Sequence, residues 1–205
     1  MMRYPAFYDQ APVISMRDPL AALLGAADDG LIDYHYLDAV RLAGHSCPTV
    51  AGAYLMARAA LRALYPDGPA ERGGVDVQIP GAESEGVNGV IAQIFTLITG
   101  AAADNGFHGI AGRFVRQSLL SFSTPDDNAA LQVRRRDTAE TVSVELDLAG
   151  VPAPANLRPL LGAALDPEAS PQQRAAFGQA WQGRVKCLLV EHADNPEVVR
   201  LTRLN

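Results

Sequence analysis

The sequence predicts an α+β fold: a single domain with a mixed or antiparallel β-sheet packed against helices. Three observations carry that prediction. The elements run in the order helix, strand, helix, several strands, then helix and strand. Apolar residues recur at helical spacing over residues 48–64 and alternate with polar ones over 75–79. No repeat, low-complexity stretch or linker divides the 205 residues, a length that suits one sizeable domain.

Residues 1–17 read as an irregular N-terminal segment in which 11–15 add at most a short strand. Asp18 then caps a helix whose first position is Pro19, where a missing N–H costs nothing. Leu20, Leu23 and Leu24 form its apolar face, and Asp28-Asp29-Gly30 ends it. A short helix is expected over 34–42, broken by Gly44. The next covers 48–64, with Cys47 at the cap, Pro48 in the first turn and a core stripe of Val50, Tyr54, Ala57, Leu61 and Leu64. Arg58 and Arg62 lie off that stripe.

A strand follows over 75–79, then a helix over 86–99 so apolar around its circumference that it reads as buried, with Gly100 as its stop. Strands are expected over 118–123, 131–136 and 141–148, joined by turns at 125–128 and 137–138 into an antiparallel meander. A proline-rich connection with a short helix over 157–164 leads to a longer helix. There Ser170 caps, Pro171 takes the first position and Gln173 completes a capping box. Phe177, Trp181, Val185 and Leu188 form its stripe, and 198–204 supplies the closing strand.

Composition excludes several classes. Hydrophobic residues make up 48% and charged residues 20%, ordinary for a globular protein. No apolar run approaches the roughly 18 residues of a membrane helix. The N-terminus lacks the basic start and apolar core of a signal peptide, so a cytoplasmic location is the expectation. A net charge of -6 argues against nucleic acid as a partner. The one basic run, Arg134-Arg135-Arg136, reads as a solvated strand end. Two cysteines make no disulfide framework, and Cys187 sits in an apolar helical stretch as a buried structural thiol.

The chemistry concentrates at Gly44-His45-Ser46-Cys47-Pro48. A thiolate at a helix N-terminus is favoured by the dipole and by free N–H groups, and His45 lies two residues away. One imidazole with one thiolate suits zinc, or another transition metal, provided further ligands converge. The candidates are Glu85 or Glu83, from the loop before the apolar helix, and His108, from the loop after it. The expected metal set is therefore His45, Cys47, Glu85 and His108. His35 and His192 lie in other surroundings. Glu83 is the weaker candidate for a catalytic general base.

That stretch, followed by an alanine-rich helix, resembles the Gly-His-x-Cys-Pro signature of the formylmethanofuran dehydrogenase E-subunit family. Glu85-Gly86-Val87-Asn88-Gly89-Val90 through Leu97-Ile98-Thr99-Gly100 resembles that family's second helix, and Asn105-Gly106-Phe107-His108 falls where the family has a glycine-rich loop. The resemblance spans about residues 34–123. It implies an α+β domain with a mixed sheet and a metal, usually zinc, near the His-x-Cys turn. Only His45 and Cys47 match cleanly. Ala43 stands where the family often has His, Glu85 and Ala101 where it often has Cys, and Thr49 where it usually has Gly. A carboxylate at Glu85 would make the metal sphere harder. No CxxC pair, and so no appended zinc ribbon, is present.

Three functions follow. The first is an accessory or metal-handling module, with redox-complex subunits as partners. The second is a zinc enzyme whose metal activates a water for a small-molecule substrate. The third is a structural protein without metal. A homodimer is the expected assembly.

Overall fold

The computed structural model describes residues 4–123 and 130–204. Mixed sheets pack against helices, the α+β arrangement expected from the order of elements. The elements are β1 (Ile14–Arg17), α1 (Pro19–Leu23), β2 (Leu31–Tyr34), α2 (Tyr36–Ala43), α3 (Pro48–Leu64), β3 (Ala70–Glu71) and β4 (Val75–Ile79). Next come α4 (Asn88–Thr99), β5 (Leu120–Phe122), β6 (Leu131–Arg135), β7 (Thr141–Leu146), α5 (Leu157–Leu165), α6 (Pro171–Lys186) and β8 (Val199–Leu204).

α3 is the central helix. Its predicted stripe is fully inside, with Val50, Tyr54, Ala57 and Leu64 at 0% exposure. It lies across β7 and β8 of the larger sheet and against α4 on its other side. Gly52 lets it approach β7 closely, since a Cβ there would overlap the Leu146 side chain. Off the stripe, Arg58 and Arg62 both pair with Asp194, at 2.8 and 2.7 Å. α2 and α4 each close on a left-handed glycine, Gly44 and Gly100, with φ 74° at both.

The capping chemistry matches the sequence reading. Asp18 Oδ1 accepts from the amides of Leu20 and Ala21. Ser170 and Gln173 form a reciprocal box at the start of α6.

Three expectations are corrected. The N-terminal segment is not all irregular: β1 pairs antiparallel with β2 and parallel with β3 in a small separate sheet. Four-residue strands offer too little alternation for a period to show, which is why β2 has no counterpart in the sequence reading and the helix was expected to start at Tyr34 rather than Tyr36. Second, β5 does not join a simple meander. It pairs parallel with β4, which lies between it and β6, giving the order β5-β4-β6-β7-β8. The meander is β6-β7-β8. The predicted turn at 125–128 lies outside the described residues. Third, α4 is not buried all round. Ile94, Phe95 and Ile98 are inside, but Val87, just before it, is 48% exposed and Val90, Ile91 and Leu97 are half-buried.

Candidate functional site

The His-x-Cys stretch is the hinge between α2 and α3. Cys47 is extended (φ −148°, ψ 169°), and its thiol accepts from the amide of Val50 at 3.4 Å. It is thus the N-cap residue, as its place before Pro48 predicts. His45 is exposed, and its Nδ1 donates to the Ala43 carbonyl at 2.9 Å, leaving Nε2 as the outward nitrogen. The buried member is the one between them. Ser46 is 8% exposed; its hydroxyl meets Tyr36 Oη at 2.9 Å and donates to Gln182 Oε1 at 3.1 Å. Its carbonyl accepts from Trp181 Nε1 and Gln182 Nε2. Burial pushes the Tyr36 phenol well above its ordinary pKa, so it stays a neutral member of this network. The stretch therefore anchors α6. Trp181 was legible as part of an apolar stripe, but nothing in the sequence joins it to Ser46.

A cap role for Cys47 makes a specific prediction. Cys47→Ser keeps a cap acceptor and is expected to leave stability unchanged or slightly raised, while Cys47→Ala costs about 1 kcal/mol in urea denaturation. Equal losses in both variants would rule out capping as the role of the thiol.

The other predicted ligands go elsewhere. Glu85 Oε2 accepts from the Ala82 amide at 3.2 Å and closes its own turn, which Asn88 completes by donating to the carbonyls of Pro80 and Ala82. Glu83 is exposed on the same loop, and His108 is exposed in the loop after α4. Among the described residues, no three His, Cys, Asp or Glu side chains are grouped so as to hold a metal ion. The expected set of His45, Cys47, Glu85 and His108 is not assembled, and these donors do not fit a zinc ion in this arrangement. Cys187 is half-buried at the start of a π-helical turn, Cys187–Glu191, where burial and Glu191 raise its thiol pKa.

What the fold does build is a cavity of about 520 Å³ along the open flank of α4. Gly89, Ala92, Gln93 and Thr96 form one wall. Ala103, Gly106 and Phe107 from the following loop form another, with Leu42 from the end of α2 and Glu83 also lining it. The small residues explain why α4 is less buried than its apolarity predicts: the space beside them is left unfilled.

Arg72 and Arg116 also line this cavity, and both reach Asp18. Asp18 is 4% exposed and pairs with Arg116 at 2.7 Å and Arg72 at 3.1 Å. Arg72 also donates to the Leu97 carbonyl at 3.2 Å, in the last turn of α4, where carbonyls lack helical partners. Arg116 donates to the Arg72 carbonyl. Burial lowers the Arg116 pKa while Asp18 opposes that shift. Among the described residues, neither guanidinium Nε has a hydrogen-bond partner. One carboxylate thus stands against two inward-held cations.

Asp18 was legible as a cap, but the arginines were not legible as its partners, because they are dispersed along the chain. Of the basic run, Arg134 is half exposed as expected, whereas Arg135 packs on the Tyr65 ring at 4.0 Å and donates to the Leu64 carbonyl. No family model matches this chain, and no curated protein does.

Proposed function

We propose that this chain is a small-molecule-binding domain whose ligand sits in the cavity beside α4. The observation that carries the reading is that flank of α4, where Gly89 and Ala92 leave about 520 Å³ of concave space within the range of ligand sites. Ala92, Leu97 and Phe107 offer apolar contact, and Gln93, Thr96 and Glu83 offer hydrogen bonds. A compact molecule with an apolar body and a polar end is the class that matches. The zinc implied by the family resemblance has no grouped ligands among the described residues.

The test is a thermal-shift screen of small organic compounds on wild type and Ala103→Leu, which fills the cavity from a loop. A compound at about 100 times its dissociation constant stabilises by about 2.7 kcal/mol, and that gain is expected to vanish in the variant. Compounds that stabilise both proteins equally would overturn the assignment.

A second reading, an accessory module docked on a partner protein through the cavity mouth, is favoured by Leu42 and Phe107. They are 47% and 45% exposed there. On that reading Leu42→Glu abolishes the complex.

A further inference from the structure

Arg72 and Arg116 line a second and more polar cleft of about 350 Å³, which shares no other lining residue with the cavity beside α4. Four arginines line it, Arg72, Arg113, Arg116 and Arg136, with Glu71 as the sole acidic lining residue among those described. This concentration occurs in a chain of net charge -6, whose overall field repels anions.

We propose that this cleft is a binding site for a phosphate group, carried by a small phosphorylated molecule or present as free phosphate. It goes beyond the proposed ligand cavity and does not depend on it.

Solvated arginines need no explanation, but these are not all solvated. The Arg116 side chain is 8% exposed and that of Arg72 22%. They share one ion-paired carboxylate, Asp18, and Glu71 and the carbonyl end of α4 offset the two charges only in part, where water is scarce. Each also keeps a buried Nε without a partner among the described residues. An anion in the cleft offsets that charge. Phosphate suits planar guanidinium forks, which donate two parallel hydrogen bonds.

The two outer arginines are held ready. Arg136 donates to the Gly73 carbonyl at 3.3 Å and lies 3.5 Å from Asp76. Arg113 is exposed and makes no ion pair among the described residues; its guanidinium sits 4.9 Å from the Phe114 ring centre. Phe114 itself has φ 61°, a left-handed conformation that costs a bulky residue energy. Such strain persists where the surroundings hold it, and here it sets the loop that carries Arg113 and Arg116 along the cleft.

The experiment is isothermal titration of the full chain at low ionic strength with two probes, inorganic phosphate and phenyl phosphate. Wild type is compared with Arg113→Gln, Arg136→Gln and Arg134→Gln. Arg113 and Arg136 line this cleft and not the cavity beside α4. Arg134 is a neighbouring exposed arginine outside the cleft, and its substitution removes the same charge.

Saturable binding is expected in wild type. It weakens by about tenfold in each of the Arg113 and Arg136 variants, the scale of one charge-assisted contact, and is unchanged in Arg134→Gln. Tighter binding of phenyl phosphate assigns the site to phosphate esters, and equal or tighter binding of inorganic phosphate assigns it to the free ion. No saturation by about 10 mM of either probe overturns the proposal. So does equal weakening in all three variants, which reduces the effect to net charge. Circular dichroism checks that each variant is folded. Because Ala103→Leu leaves this cleft intact, failure here and failure of the cavity reading are separable.

Discussion

Asp18→Asn is expected to be the most damaging conservative substitution in the chain. The asparagine keeps an oxygen for the amides of Leu20 and Ala21, so the α1 cap survives. What disappears is the only carboxylate that, among the described residues, pairs with Arg72 and Arg116, the latter 7% exposed. Removing one partner of a buried ion pair costs about 3–5 kcal/mol, because the remaining charge stays out of water without compensation. For a chain of this size that corresponds to a fall in melting temperature of roughly 10 °C. Urea denaturation measures it directly. A loss below about 1 kcal/mol would mean that the guanidiniums find solvent, and that the network is a surface feature of little worth. If the cleft binds phosphate, saturating phosphate recovers part of the loss.

Gly73→Ala is the second. Gly73 has φ 83°, and a Cβ built on it would overlap the Arg116 guanidinium. Its amide donates to the Thr99 carbonyl at 2.7 Å, so this turn also holds the end of α4. The left-handed backbone alone costs alanine about 1–2 kcal/mol. Displacing Arg116 from Asp18 adds to that, for a total of about 3 kcal/mol or more. The two contributions separate in a double-mutant cycle. Gly73→Ala is expected to cost markedly less in an Arg116→Ala background, where the clash is gone and only the backbone strain remains. Strict additivity would show that φ alone explains the glycine.

These two residues differ in how visible they were. Asp18 before Pro19 is a local signal, and the cap it predicts is present. Gly73 follows a two-residue strand that no period can reveal. Its reason for being glycine is a side chain far along the chain. The helix of residues 48–64 was legible nearly to the residue and that of 171–186 at its capped start, since apolar spacing and caps are written within a few turns. The pairing of β5 was not legible, because its parallel partner β4 lies some forty residues back in the chain and no local pattern selects it.

The candidate site divides in the same way. His45 and Cys47 stand out in the sequence because two metal-type residues lie two positions apart. The structure gives Cys47 a capping role and buries Ser46 between them as the contact for Gln182 and Trp181. Glu83, a candidate base by its loop, lines the cavity that Gln93 also lines, and Cys47 does not line it. Arg72 and Arg116, which line both concavities, carry no sequence signal, since a lone arginine is ordinarily a solvated one.

The α+β class, the long helices with their caps and the strand of residues 75–79 are written in the sequence, and among the described residues no helix is long and apolar enough to cross a membrane. Those features depend on periodicity and capping, whose range is a turn or two of chain. Only the tertiary structure decided that small residues leave a cavity beside α4, and that Asp18 gathers Arg72 and Arg116. The same is true of Arg113 and Arg136, which line a common cleft. Each of these joins groups from distant segments, and such meetings are set by how helices and sheets pack rather than by any local pattern of residues.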